Sequence, residues 1–264
     1  MNFLPVGTFL FDSVVFGPVF SRRLGRSLGI NLLPDTAKIC NYDCVYCECG
    51  WSSQKKEHHA RLHKVSEVVS ELEKTLRSFS MEGKGIDTIT FAGNGEPTLH
   101  PSFKEIMDEV IRLRDSYYSA AKIAVLSNAS RVHIPEIREA LMKADLNILK
   151  LDTAVEDTFR MINKPPAGYT LHHLLQNLSL FRKGLIIQSL FVRGIAEGKY
   201  VDNTTEKEIN AWLEEVKRLA PELVMIYSIE RATAAGTLEK VSLPELREIA
   251  RKVALAGLQA EVYY

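Results

Sequence analysis

The chain has 264 residues, balances 33 Lys and Arg against 33 Asp and Glu, and is 46% hydrophobic. This apolar fraction excludes an intrinsically disordered chain, and the length suffices for one large domain or two small ones. The balanced charge argues against a strongly basic nucleic-acid-binding protein, although a local patch could still hold phosphate. The first ten residues lack a basic segment ahead of a long apolar run, and no apolar run approaches the roughly 18 residues of a membrane span. We therefore expect a soluble cytoplasmic protein that does not engage a membrane.

Short apolar segments rich in β-branched residues recur along the chain and predict strands. They lie at residues 28–33, 86–92, 122–127, 147–152, 185–192 and 223–229. In three of the intervening segments the apolar residues step by three and four, which predicts helices beginning near Val65, Ile134 and Leu171.

Two pairs of polar residues predict further helix starts late in the chain. Thr205 with Glu208, and Ser242 with Glu245, have the spacing of capping boxes and each precedes an apolar periodic segment. Helices are thus expected to alternate with strands over most of the sequence.

Six strands separated by helices predict repeated βα units, and hence a parallel sheet with right-handed crossovers. Two architectures fit this pattern, a doubly wound open sheet and a barrel of fewer than eight strands. In both, ligands bind at the carboxyl ends of the strands. We expect residues 28–230 to form this domain, with an extension at 1–27 before it and a C-terminal helix and edge segment at 231–264 after it.

All four cysteines fall within one ten-residue stretch, at Cys40, Cys44, Cys47 and Cys49. Four cysteines are too few for a disulfide scaffold of this length, and their crowding indicates a metal site. A four-cysteine zinc site usually combines two separated pairs, whereas one short loop can supply thiolates to several irons of an iron–sulfur cluster. Three thiolates at the C-x3-C-x2-C spacing would leave one iron of a cuboidal cluster open. Zinc and free buried thiols remain alternatives, and Cys49 is interpreted as a non-ligand although a fourth-ligand role stays open.

The C-x3-C-x2-C motif, with Tyr46 before its last cysteine, resembles that of the radical S-adenosylmethionine (SAM) superfamily. The resemblance implies an incomplete (β/α)6 barrel of parallel strands with outer helices. It also implies a [4Fe-4S] cluster held by Cys40, Cys44 and Cys47, whose open iron binds SAM. The implied reaction is reductive cleavage of SAM to a 5′-deoxyadenosyl radical, which abstracts hydrogen from a substrate. An electron donor such as flavodoxin or ferredoxin would serve as partner.

Residues at the ends of the second, third and fourth predicted strands match positions at which this superfamily binds SAM. Glu96 ends a segment similar to the family's Gly-Gly-Glu motif, which binds the amino group of SAM. At the fourth strand, Asp152 suits the ribose hydroxyls and Lys150 suits the methionine carboxylate. The resemblance implies cofactor contacts at Tyr46, Gly93, Asn94, Gly95, Glu96, Asn128, Lys150 and Asp152.

Further polar residues are expected near the open end of the barrel. Those expected to line its mouth are Gln188, Arg193, Tyr227, Glu230 and Arg231. Ahead of the first predicted strand lie Arg22, Arg23 and Arg26. Guanidinium groups bind phosphates and carboxylates in a forked geometry, so these arginines either hold an anionic substrate or pair with acidic residues of the chain itself.

Segments beginning at Gly17, Cys40 and Gly93 are also similar to proteins related to the wyosine-forming tRNA enzymes, which rebuild a guanine base in tRNA. This likeness favours RNA base modification. The wyosine-forming enzymes carry extra cysteines for a second cluster, and this chain has none outside positions 40–49. The alternatives are activation of a glycyl-radical enzyme or another protein or peptide modification and, from a different class, a zinc-stabilised RNA-binding module.

Overall fold

The computed structural model describes residues 8–52 and 61–264, which form eleven strands and seven α-helices. The strands are β1 (Val15–Ser21), β2 (Gly25–Ile30), β3 (Thr88–Phe91), β4 (Lys122–Ser127), β5 (Leu146–Lys150), β6 (Leu185–Leu190), β7 (Val192–Ala196), β8 (Lys199–Asp202), β9 (Leu223–Tyr227), β10 (Leu238–Lys240) and β11 (Ala260–Tyr263). The helices are α1 (Val65–Met81), α2 (Phe103–Tyr117), α3 (Pro135–Leu141), α4 (Glu156–Asn163), α5 (Leu171–Leu178), α6 (Glu206–Leu219) and α7 (Leu243–Leu255).

The main sheet has eight strands in the order β1-β2-β3-β4-β5-β6-β9-β11. All neighbours from β2 to β11 run parallel, and β1 pairs antiparallel with β2 at one edge. Residues of both edge strands border one cavity, because the sheet curls into a half-barrel with the helices outside. The incomplete barrel is therefore confirmed, and the doubly wound open sheet is not what forms. The strands β10, β7 and β8 make a separate antiparallel sheet.

The turn between β1 and β2 fills part of the barrel interior. Leu24 in this turn is 7% exposed and clusters with Ala124, Ile148, Ile186 and Met225, which come from four different parallel strands. These four residues lie in the amino-terminal or middle parts of their strands. The turn therefore closes the lower part of the barrel and leaves the space near the carboxyl ends of the strands for a ligand.

In helix α6, only one of the two residues of the predicted capping box caps the helix. Thr205 caps this helix as predicted, since its side chain accepts a hydrogen bond from the backbone N–H of Glu208. The reciprocal half of the predicted capping box is wrong. The Glu208 carboxylate is buried and instead accepts hydrogen bonds from the hydroxyls of Thr153 and Thr158, each at 2.6 Å. It thus ties α6 to the segment that follows β5.

The second predicted box, Ser242 with Glu245, is complete and begins α7 after Ser242. Its helix leads to β11, which pairs parallel with β9 and extends the sheet at the edge opposite β1. Within the described ranges, no helix combines the length and apolar character required to cross a bilayer.

The Leu24 side chain gives the first testable expectation. Replacing Leu24 by Ala leaves a cavity inside the barrel and should lower the free energy of unfolding by about 2–5 kcal/mol. Leu255→Ala is the matched control, because Leu255 is 72% exposed on α7 and should change stability by less than about 0.5 kcal/mol. Urea unfolding of the two variants and the wild type measures the difference, and equal midpoints would contradict the internal position of the turn.

Candidate functional site

A cavity of about 340 Å³ lies at the carboxyl ends of the parallel strands. Among the sequence-predicted positions, its walls include Cys40, Cys44, Tyr46, Cys47, Gly93, Gly95, Glu96, Asn128 and Lys150. Cys49 also borders the cavity. The structure thus gathers residues from the cysteine loop and from the ends of three strands around one space, as the position of the site in a barrel requires.

The cysteine loop is fixed by a buried lysine that sequence reasoning missed. Lys38 is 2% exposed, and its ammonium group donates to Asp43 Oδ1 and to the carbonyl oxygen of Gly50, both at 2.8 Å. Asp43 Oδ1 also accepts from the backbone N–H of Ser52 at 3.0 Å. These bonds join the two ends of the loop, so the three motif cysteines are presented on a closed turn. No spacing pattern in the sequence distinguishes Lys38 from an exposed lysine.

The other side of the loop is held by α4 and by the segment before β10. The backbone N–H of Val45 donates to the carbonyl of Ile162 at 2.9 Å, and the N–H of Ala235 donates to the carbonyl of Val45 at 2.8 Å. The Cys44 thiol lies against Asn163, whose amide nitrogen is 3.6 Å from the sulfur. The loop is therefore constrained independently of any bound group.

The chemistry of the thiols suits metal ligation. A hydrogen bond from Cys49, together with the Lys38 ammonium, lowers the pKa of Cys47 to about 6 against the opposing effect of burial. Burial raises the pKa of the Cys40 and Cys44 thiols, which a bound metal would deprotonate. Among the described residues, no three cysteine, histidine or carboxylate side chains form a ready site for a single metal ion. The cysteine set fits a larger group that takes one thiolate at each of several metal atoms.

Cys49 is turned toward the backbone of the neighbouring strand end. Its sulfur donates to the carbonyl oxygen of Gly93 at 3.5 Å. The hydrogen bond with Cys47 and burial raise the pKa of Cys49. Cys44 has the same two features, with its sulfur 3.6 Å from the carbonyl oxygen of Asn163 and a pKa raised by burial, so the non-ligand role of Cys49 stays a prediction.

Gly95 lies in direct backbone contact with the start of the cysteine loop. Ile39 and Gly95 form a parallel β-bridge, with hydrogen bonds from Ile39 N–H to Asn94 O at 2.8 Å and from Glu96 N–H to Ile39 O at 3.0 Å. A Cβ atom on Gly95 would lie 1.8 Å from the carbonyl oxygen of Ile39, and the residue has a φ of +138°. Only glycine fits this position.

Asn94 has a structural task that differs from the expected cofactor contact. Its side chain accepts from the N–H of Phe11 and donates to the carbonyls of Phe11 and Pro34, each at 2.8 Å. The side chain therefore joins the segment before β1 to the strand end and does not border the cavity. Its neighbours Gly93 and Gly95 do border it.

Glu96 reaches the cavity with a carboxylate that is held by hydrogen bonds. One oxygen accepts from the Thr98 hydroxyl at 2.6 Å and the Ser127 hydroxyl at 2.8 Å, and the other accepts from the N–H of Asn128 at 2.7 Å. Burial raises the pKa of Glu96, while these hydrogen bonds act in the opposite direction. Neutral donors hold this carboxylate, and no Lys, Arg or His nitrogen of the described residues forms an ion pair with it.

Asn128 links this carboxylate to the cysteine loop. Its side-chain amide donates to Asn41 Oδ1 at 2.8 Å and lies 3.8 Å from the Cys40 sulfur. The end of β4, the Glu96 segment and the first cysteine are thereby joined in one hydrogen-bonded network.

Asp152 lies beneath the cavity and not on its wall. Its side chain accepts hydrogen bonds from the Tyr46 hydroxyl, from Asn163 Nδ2 at 2.7 Å and from the N–H of Leu190 at 2.9 Å. Lys150 Nζ is 3.7 Å from the same carboxylate and 4.8 Å from the centre of the Tyr46 ring. Burial lowers the pKa of Lys150, but the charge of Asp152 together with Tyr227 and Cys44 outweighs it, so the net pKa is raised. Lys150 therefore stays charged at the wall of the cavity, whereas Asp152, the residue expected to bind the ribose, supports that wall from behind.

The residues expected at the mouth divide into two groups. Gln188, Tyr227 and Arg231 border the cavity, and Glu230 borders its neighbour. Arg193 is excluded from the mouth, because it lies on β7 and pairs with Glu245.

The three arginines near β2 are likewise divided. Arg26 forms an ion pair with Asp87 and takes no part in the cavity. Arg22 and Arg23 both border cavities of the barrel interior. Arg22 Nη1 lies 3.6 Å from Glu230 Oε1.

Residues 36–195 match the radical SAM superfamily. This match covers more than half of the chain, which therefore belongs to that superfamily. By this membership it is an iron–sulfur enzyme that uses a [4Fe-4S] cluster and SAM.

Two other comparisons found similar proteins. Among curated proteins, the chain is 31% identical over 248 residues to a protein of Brachyspira hyodysenteriae named GTPase Obg, covering 94% of this chain and 34% of that protein. It is 34% identical over 212 residues to UPF0026 protein MJ1312 of Methanocaldococcus jannaschii, covering 79% of this chain and 61% of the relative. The chain thus spans less than two thirds of these two relatives.

Solved structures of radical SAM proteins share the fold. A radical SAM methyltransferase from Sphaerobacter thermophilus has a TM-score of 0.61 and 13% identity, over 90% of this chain and 66% of that one. Archaeal TYW1 has a TM-score of 0.54 and 13% identity, over 88% of this chain and 72% of that one. At these identities the likeness concerns the fold alone.

The contact of Gly95 with Ile39 leads to a test of how the site is assembled. Gly95→Ala should separate the cysteine loop from the Glu96 segment and lower the iron and sulfide bound per chain after anaerobic reconstitution. Gly83→Ala is the control, because Gly83 also has a positive φ, +66°, but has no atom within 4 Å of an added Cβ. That variant should lose about 1–2 kcal/mol of stability and keep its iron. If the Gly95 variant bound as much iron per chain as the wild type, the close contact between Gly95 and Ile39 would not be needed for cluster binding.

Asp152 can be tested without any cofactor present. Asp152→Asn leaves the Lys150 charge without its buried partner and should destabilise the protein by about 3–5 kcal/mol in the absence of SAM. A residue that acts only on the ribose would leave this stability unchanged. Asp157→Asn, an exposed change in the first turn of α4, should cost no more than about 1 kcal/mol. Chemical denaturation of the three proteins distinguishes the two roles.

Proposed function

We propose that this chain cleaves SAM reductively at a single [4Fe-4S] cluster held by Cys40, Cys44 and Cys47. The observation that carries the proposal is the meeting of these three cysteines with Gly95, Glu96 and the ends of β4 and β5 around one cavity. When bound, the reduced cluster supplies one electron that splits the sulfonium of SAM into methionine and a 5′-deoxyadenosyl radical, which takes a hydrogen atom from the substrate.

The cavity residues would bind and orient SAM by charge. Glu96 is a buried carboxylate without a cationic partner in the described residues, so it can accept the ammonium group of SAM in addition to its neutral donors. Lys150 keeps its charge through Asp152 and can bind the methionine carboxylate. Asn128 offers an amide beside the first cysteine, and the Tyr46 ring is an apolar surface next to the last one.

Asp152 has a different role in this proposal from direct contact with the ribose. It fixes the hydroxyl of Tyr46 and the ammonium of Lys150, so it positions two groups that face the cavity. We assign Asp152 as a positioning residue that acts through them.

The reaction needs an electron from outside the chain, and a flavodoxin or ferredoxin is the proposed donor. The substrate would enter through the open side of the half-barrel. RNA base modification is the first reaction to test, because segments of the sequence resemble proteins related to the wyosine-forming enzymes. Incubating reduced protein with SAM and with separate RNA, peptide and metabolite pools should raise 5′-deoxyadenosine formation with one of them. Stimulation by peptide alone would favour protein modification instead.

Cysteine variants test the ligand set. Ala at Cys40, Cys44 or Cys47 should remove the cluster and abolish formation of 5′-deoxyadenosine by dithionite-reduced protein. Ala at Cys49 should keep both, because the C-x3-C-x2-C motif is complete without Cys49. Iron analysis, visible absorption and chromatography of the products measure these outcomes.

Two results would overturn this assignment. Loss of iron in the Cys49 variant would make Cys49 a ligand and close the open iron site. A colourless protein with one zinc per chain after anaerobic purification would favour the zinc-stabilised RNA-binding module instead.

A further inference from the structure

The cavity beside the cysteine loop continues into two neighbouring spaces of the barrel. One, of about 440 Å³, lies between the edge strands and is bordered by Phe20 of β1 and Tyr263 of β11. The other, of about 390 Å³, is lined by aromatic rings that include Phe11 and Phe16. Arg23 borders all three spaces, so its guanidinium group lies where they meet.

Other cations at these walls have acidic partners. Arg231 lies 2.8 Å from Glu48, and Lys150 lies 3.7 Å from Asp152. For Arg23, by contrast, no carboxylate of the described residues lies within the 4.0 Å of an ion pair. Its positive charge is therefore not neutralised by a neighbouring side chain of that part of the protein.

Neutral groups hold the Arg23 guanidinium in position. Its Nη1 donates to Gln188 Oε1 at 2.9 Å, and its Cζ lies 4.5 Å from the centre of the Tyr227 ring. The adjacent Leu24 is packed into the barrel interior, which anchors the turn. The charge is thus fixed in place while most of its N–H donors stay available, an arrangement that suits a forked contact with an oxyanion.

Arg23 also lies outside residues 36–195, which match the superfamily. It belongs to the turn between β1 and β2. Its partner Gln188 lies on β6, inside the matched part. The cysteines and the strand ends at the cavity belong to the matched residues, whereas Arg23 enters the same space from a turn outside them.

We propose that Arg23 binds an anionic group of the substrate, a phosphate or a carboxylate, and so positions the substrate between the open side of the barrel and the cysteine cavity. This inference rests on the proposed function, because it names the substrate chemistry of the same site. Loss of one charge-assisted contact should weaken anion binding about tenfold or more.

Calorimetric titration of the anaerobically reconstituted holoenzyme, saturated with SAM, tests the proposal. Pyrophosphate and glutarate are titrated separately at low ionic strength, and the tighter probe identifies phosphate or carboxylate as the recognised group. At least one should bind with one-to-one saturation. Arg23→Gln should weaken that binding about tenfold or more, and Arg23→Lys, which keeps the charge without the fork, should weaken it less. Arg26→Gln is the control, because Arg26 is engaged by Asp87 away from the cavities, and it should bind like the wild type.

Three results would overturn the proposal: no saturable binding of either probe, equal binding by the wild type and Arg23→Gln, or an equal loss of SAM affinity in Arg23→Gln. The last would assign Arg23 to the cofactor. Failure of the wild type to bind SAM would contradict the proposed function instead, and the same two probes titrated without SAM would still decide the role of Arg23.

Discussion

The close contact between the backbones of Ile39 and Gly95 is the constraint on which the site depends. It joins the start of the cysteine loop to the segment after β3 through backbone hydrogen bonds. Since the Glu96 carboxylate is bonded in turn to the end of β4, the loop, two strand ends and one buried charge form a single unit. A side chain at residue 95 would occupy the space of a carbonyl oxygen, so the contact is available to glycine alone.

The charged residues of the site have two tasks. Asp152 lies behind the cavity and holds Tyr46, Lys38 at the wall holds the cysteine loop, and Glu96 and Lys150 also reach the wall. Burying a charge is costly unless other groups pair with it or donate to it, and each of these four has such partners. Asp152 and Lys38 therefore fix the geometry, while Glu96 and Lys150 present a negative and a positive group that suit a zwitterionic ligand such as the methionine part of SAM.

Much of the fold follows from the sequence, because buried parallel strands are continuous apolar segments and outer helices have a clear period. All six predicted strands form. Asn128 follows the end of β4, and Lys150 is the last residue of β5. The elements missed were the helices α2 and α4 and the strands that carry little apolar signal, such as β10, of which two of three residues are exposed. The side-chain roles of Asn94 and Asp152 could not be predicted, since a polar residue at a strand end can face a cavity or support its wall from behind. That choice depends on which buried donors lie nearby in the folded chain.

The β1–β2 turn links these observations to the open side of the barrel. A half-barrel is open between its two edge strands. A turn that enters the interior there is anchored when one of its apolar side chains is buried among the strands. Leu24 supplies that packing, so its neighbour Arg23 can be presented at the junction of three spaces without an acidic partner. The turn thus brings a positive charge to the same cavity whose other walls are the cysteine loop and the strand ends.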